Sequence, residues 1–234
     1  MKCDLVYDGT LEGLFCALAM ILKRRISASS VTPRRRASSI EHPVYIGTDE
    51  VLAGRLFRYI EGCAGGAAAQ LICDFFLSGM PDIEPVIYRY ICGSIRNGRI
   101  YADNLEDPTV RYMHRAVRDL YRQAGDVLQS LEYETVGGKD FAIIDTPQRV
   151  LPLIKDAIAQ SHTTCDLAVF NRGDGLLLTT ANGRAICLDT CESGRDLSTV
   201  TEVYAYLLSH RLRYMAEPVK ADTFPMLWQV TIDD

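Results

Sequence analysis

Residues 107–144 read DPTVRYMHRAVRDLYRQAGDVLQSLEYETVGGKDFAII, and the spacing of their apolar positions changes partway along. Val110, Met113, Val117, Leu120, Ala124 and Val127 recur every three or four residues, the period of one face of an α-helix. Asp107 reads as the N-cap and Pro108 as the first helical residue, so a helix is expected over about residues 108–129. Beyond it, residues 131–135 and 141–144 flank Gly137-Gly138, which suggests a hairpin whose loop is longer than that pair alone. A helical period therefore gives way to a strand period inside one stretch.

Working outward, the same division holds on either side. Toward the N-terminus, Leu5-Val6-Tyr7 reads as a short strand and Asp8-Gly9-Thr10 as a turn. Thr10 would then cap a helix carrying Leu11, Leu14, Phe15, Leu18 and Leu22. Residues 27–39 have loop composition and include Arg34-Arg35-Arg36, so a flexible loop is expected there. Pro43-Val44-Tyr45-Ile46 reads as a second strand, and Thr48 or Asp49 opens a helix running to about Ile60. Gly65-Gly66 reads as a tight turn before an apolar helix over residues 67–77, and Pro81-Asp82 begins another with Ile83, Val86, Ile87, Tyr90 and Ile91. Toward the C-terminus, residues 148–160 are helical in pattern, with Pro152 tolerable in the first turn only. Residues 167–170, 176–180 and 185–188 are strand candidates joined by turns at Gly173-Asp174-Gly175 and Asn182-Gly183, and a helix follows over residues 199–211. The expected class is α+β, a helix-rich first half with a small sheet formed by strands from the N-terminus and the C-terminal half. No internal repeat is visible.

A chain of 234 residues can bury a substantial core, and a single domain over residues 1–234, or one domain with a small lobe, is expected. With 48% hydrophobic and 24% charged residues the composition is that of a globular protein. The apolar run at residues 14–22 is too short to cross a bilayer, and Met1-Lys2-Cys3-Asp4 lacks the order of a secretory signal. No membrane partner and a cytoplasmic location are therefore expected. The eight cysteines fall mostly within apolar patterns, where a reduced thiol behaves as a small hydrophobe, so no disulfide framework is expected. Cys187 and Cys191 have the spacing of a metal pair but lack a third and fourth ligand, and neither a metal nor a cofactor is expected.

The net charge is −5, yet residues 1–40 carry seven basic and three acidic groups while the remainder carries eighteen and twenty-seven. This balance excludes a protein that coats nucleic acid non-specifically, because counterion release requires a broad basic surface, and it leaves room for a local patch. Arg111, Arg115, Arg118 and Arg122 supply one: spacings of four, three and four place them on a single stripe about 16 Å long. His114 shares a helix face with Arg118, which favours phosphate contact over catalysis. The alternative is a solvated face whose arginines pair with Asp119, Asp126 and acids of other elements.

Asp8 and Glu12 lie four residues apart across a helix start. Paired carboxylates there could bind a cation or serve as acid and base. The alternative is structural, with Asp8 holding the turn, Gly9 supplying an unusual backbone angle and Glu12 complementing the helix N-terminus. His42, His114, His162 and His210 have no local partner at metal-ligand spacing. His162 and Cys165 are close enough in sequence for a base and nucleophile, and both also read as ordinary surface or loop residues.

Tyr7-Asp8-Gly9-Thr10-Leu11-Glu12-Gly13-Leu14 resembles the opening signature of a bacterial family described as DNA metabolism or DNA repair proteins. The agreement continues in Leu77-Ser78-Gly79-Met80-Pro81, in Asn104-Leu105-Glu106-Asp107-Pro108-Thr109-Val110 and in Val150-Leu151-Pro152-Leu153-Ile154, and covers most of residues 5–190. It marks Tyr7, Asp8, Gly9, Thr10 and Glu12 as motif residues. It also implies a partner, since members are typically paired with a radical S-adenosylmethionine protein and the domain occurs fused to a uracil-DNA-glycosylase-like domain. The chain departs from the family where members carry a Glu-x-His-Arg stretch and then Gly-Phe-x-Arg-Phe: here stand Gln123-Ala124-Gly125-Asp126 and Gln129-Ser130-Leu131-Glu132-Tyr133. A later family Asp is Asn171. Cys187 and Cys191 do not rebuild the cluster motif of the radical partner, since Gly194 holds the place of its third cysteine. The resemblance implies a DNA metabolism or repair accessory protein that binds nucleic acid or a DNA-processing partner, with no reaction assigned. The alternatives are an enzyme of nucleobase or nucleotide chemistry using the Asp8/Glu12 end, and a structural partner protein without DNA affinity.

Overall fold

The computed structural model describes residues 3–24, 27–161, 166–181, 184–190 and 197–209. The fold is α+β, with helices concentrated first and strands later. The strands form two sheets, ordered β2-β1-β3 and β4-β5-β6-β7-β8, instead of one sheet shared by the two ends of the chain. The chain divides into two compact units, Met1–Phe76 with Met80–Val117, and Leu77–Gly79 with Arg118–Asp234.

In the first unit β1 (Cys3–Tyr7) is the central strand, followed by α1 (Leu11–Arg24), β2 (Ala28–Pro33) and β3 (Val44–Tyr45). Both β2 and β3 run parallel to β1, so strand order reverses direction between β1 and β3. Leu5, Val6 and Tyr7 are buried, as are Leu11, Leu14, Phe15 and Leu18 of α1, the face the spacing predicts. Residues 27–39 are not one loop. Ser30, Val31, Thr32 and Pro33 pair with Asp4, Leu5, Val6 and Tyr7, Ser30 donates to Asp4 Oδ1 at 2.7 Å, and Arg34–Arg36 form a 3-10 turn. Ser29 and Ser30, two of the five serines that give the segment its loop composition, lie on an edge strand, where polar side chains keep access to water and Pro33 at the strand end costs no ladder bond.

The helices continue with α2 (Glu50–Ala64), α3 (Gly66–Leu77, its last residue counted with the second unit), α4 (Ile83–Asn97), α5 (Arg99–Ala102) and α6 (Pro108–Ser130), which starts in the first unit and belongs to the second from Arg118 onward. Their starts are chemically specified. Asp49 Oδ1 accepts from Val51 N and Leu52 N, and Asp107 Oδ1 accepts from Thr109 N at 2.8 Å and Val110 N at 3.2 Å. Each satisfies two of the N–H groups that a helix start leaves without partners.

The second unit holds β4 (Glu134–Val136), β5 (Lys139–Ile144), α7 (Leu151–Ser161), β6 (Leu167–Asn171), β7 (Leu176–Ala181), β8 (Arg184–Asp189) and α8 (Val200–Ser209). Val136 pairs with Lys139, so Gly137-Gly138 is the whole hairpin loop, shorter than expected. Both glycines have positive φ, at 61° and 80°, as a two-residue turn that follows the strand twist requires, and a Cβ on Gly137 would meet the Tyr204 hydroxyl at 2.6 Å. β5 and β6 are parallel with α7 between them in sequence, and the remaining pairs are antiparallel. Phe141, Phe170, Leu177, Leu188, Val203 and Tyr206 belong to the core of this sheet, with Tyr204 edge-on to Phe141 at 5.7 Å. The six described cysteines are unbridged. Among the described residues no helix is long and apolar enough to cross a membrane.

Candidate functional site

Helix α6 buries the face its sequence specifies: Val110, Met113 and Leu120 are fully enclosed, and Val117, Ala124 and Val127 nearly so. Removing each of the larger side chains from water stabilises the packed helix by roughly 1.5–3 kcal/mol, which fixes the rotation of the helix about its axis. The opposite stripe is fixed with it. Arg111, Arg115, Arg118 and Arg122 are all exposed, as is His114. Arg122 meets Asp119 at 3.5 Å, an exposed pair one turn apart. Among the described residues Arg111, Arg115 and Arg118 make no salt bridge. The paired, solvated face that the sequence allows is therefore realised at one arginine of the four.

The motif residues gather at the carboxyl end of β1. Asp8 Oδ1 accepts from Thr10 N at 2.9 Å and Thr10 Oγ1 at 2.6 Å, while Oδ2 accepts from Thr48 Oγ1, across the point where strand order reverses. Thr10 Oγ1 in turn accepts from Gly13 N at 2.9 Å, which makes Thr10 the N-cap of α1. Gly9 has a φ of 94°, and a Cβ on Gly13 would lie 2.2 Å from Asp8 Oδ1. Asp8 is thus a clasp that closes the turn and joins it to the loop after β3. Tyr7 is buried and donates to Glu84 Oε1 at 3.0 Å, and the Arg36 guanidinium, half exposed, donates to the same oxygen. Burial, and then the Glu84 carboxylate, push the Tyr7 phenol well above its ordinary range.

Glu12 is different. It is only 8% exposed, and its Oε1 has no hydrogen-bond partner among the described residues. Burial raises its carboxyl above the usual range, and the negative charges of Asp8 and Glu50 add to the shift, offset in part by the residue's own backbone. The Cys73 thiol, pushed up to about 12 by burial, also feels Asp74 and Glu12. Asp8 and Glu12 thus share one end of the sheet without bonding to each other. Among the described residues no group of three His, Cys, Asp or Glu side chains is arranged to hold a metal ion.

Two more of the motif stretches meet in the second unit. Arg149 N donates to Leu77 O at 2.9 Å, and Gly79, at a φ of 66°, lies where a Cβ would stand 2.4 Å from the Pro147 carbonyl. Asn171 is fully buried. Its Oδ1 accepts from Thr146 N at 3.0 Å and Gly173 N at 3.2 Å, while its Nδ2 donates to Gln148 O at 3.2 Å. The amide is used at both ends, which a carboxylate could not do. Nearby, the buried Arg149 side chain meets Asp189 at 3.0 Å.

Sequence reasoning missed Glu84, Arg36, Arg149 and Asp189. Glu84 had a signal, since it lies on the apolar face three and seven residues before Ile87 and Ile91. Arg149 had none. His162, Cys165, Cys191, Gly194, His210 and the turn at Asn182-Gly183 lie outside the described residues. Compared with known proteins, the chain matches no protein-family model and no curated protein.

Proposed function

We propose that this protein is a DNA metabolism or repair accessory protein that binds the nucleic-acid backbone through Arg111, Arg115, Arg118 and Arg122 of α6, with His114 beside them. The observation that carries this reading is the stripe itself: four exposed arginines in single file, three without an acidic partner among the described residues. An unpaired guanidinium keeps its five donors for phosphate oxygens, and counterions released from the polyanion drive the association. The radical S-adenosylmethionine protein and the uracil-DNA-glycosylase-like protein implied by the resemblance are the partners we propose, in the cytoplasm.

Replacing Arg115 and Arg118 by Glu is expected to weaken DNA binding and to flatten its salt dependence. With two fewer phosphates neutralised, the slope of log K against log salt falls by roughly 1.4–1.8. Titration of labelled DNA across a salt series measures both. Unchanged affinity in a folded double variant would remove the stripe from the account.

A second reading is favoured by one observation, the buried Glu12 carboxyl with an oxygen that lacks a hydrogen-bond partner among the described residues. A carboxyl that holds its proton above the usual range can act as an acid toward a nucleobase or nucleotide bound at the end of β1. Turnover that disappears in Glu12→Gln while stability is retained is the result this reading requires.

A further inference from the structure

The two flanks of the α6 stripe differ. His114, Tyr121 and Leu128 recur at seven-residue intervals about a quarter-turn to one side of the arginines, all exposed, with Tyr121 at 49% and Leu128 at 38%. On the other side stand Asp119 and Asp126, Asp119 already engaged with Arg122. From one edge to the other the helix thus presents carboxylates, guanidinium groups, and then rings with apolar surface.

A duplex suits this cross-section poorly. Its major groove is about 12 Å wide, close to the width of a helix with its side chains, so a helix seated there has a row of phosphates along each flank. One such row would face Asp119 and Asp126 and the other would face Tyr121 and Leu128. A single strand has one row of phosphates with unpaired bases beside it, the order in which guanidinium groups and rings occur on α6. Arginines tracking one backbone and an aromatic side chain stacked on a base are the usual means of holding single strands.

We infer that α6 selects single-stranded nucleic acid, its backbone along Arg111, Arg115, Arg118 and Arg122 and its bases against His114, Tyr121 and Leu128. The inference rests on the proposed nucleic-acid reading and adds strand selectivity and the orientation of the bases to it.

Fluorescence anisotropy with an end-labelled oligothymidine strand, and with the same strand annealed to its complement, tests it on the full chain. The single strand is expected to bind about tenfold more tightly than the duplex at equal salt. Tyr121→Ala is expected to lower single-strand affinity roughly tenfold, while Tyr121→Trp restores it. Thermal melts of both variants show whether each is folded. Equal or tighter binding of the duplex, or a folded Tyr121→Ala that binds the single strand as the wild type does, overturns the inference and leaves nucleic-acid binding standing. Binding of neither probe at low salt overturns the nucleic-acid reading and the inference with it.

Discussion

Glu12 and Asn171 are both buried polar side chains, and their surroundings call for opposite substitutions. Glu12 carries a carboxyl raised above its unfolded range by burial, with the charges of Asp8 and Glu50 adding to the effect. The native state therefore holds that proton more tightly than the unfolded chain does. Below the unfolded carboxyl range both states are protonated and the residue costs nothing through ionisation. As pH rises through the raised native value, stability is lost. Glu12→Gln is thus expected to be more stable than the wild type at pH 8 and to lose that advantage near pH 4, as urea titrations at the two pH values measure. An equal difference at both values would show that ionisation of Glu12 plays no part. Asn171 uses an amide acceptor and an amide donor at full burial. Asn171→Asp turns the donor into a second oxygen facing the Gln148 carbonyl, and about 1–3 kcal/mol of stability should be lost at neutral pH in the same assay.

At the scale of elements, α6 follows most directly from its sequence. Asp107, Pro108 and the apolar repeat specify its start, its buried face and the stripe opposite. Asp107→Ala removes two capping bonds at once, and a loss of about 1 kcal/mol in thermal or urea unfolding is expected. Little change would mean that water satisfies Thr109 N and Val110 N as well as the carboxylate does. The strand β2 was not legible, because Ser29, Ser30 and Thr32 suit an exposed turn and an edge strand equally, and its partner β1 lies more than twenty residues away. The Gly137-Gly138 hairpin was legible in place but not in length: residues 131–133 are apolar enough to extend a strand, yet the ladder begins at Glu134. At the site, the turn around Asp8 could be read locally, since Thr10 and Gly13 are near neighbours. Thr48 and Glu84 could not, because their bonds to Asp8 and Tyr7 close over forty and seventy-seven residues.

For the whole molecule, long-range pairing sets the limit on what a local pattern reveals. Strands at the two ends of the chain carry similar apolar signals, and only the parallel registers of β1 with β2 and β3, and of β5 with β6, separate them into two sheets. Charge operates at this scale too. A net charge of −5 opposes a general affinity for polyanions, so the binding we propose has to come from a local stripe and has to weaken steeply with salt. The most direct test compares the wild-type chain with Arg115→Glu/Arg118→Glu for binding to single-stranded DNA between roughly 50 and 200 mM salt, with a thermal melt of each. The account predicts tight, salt-dependent binding by the wild type and weak binding with a shallower slope by a variant that melts normally. A folded variant that matches the wild type in affinity and slope would contradict it.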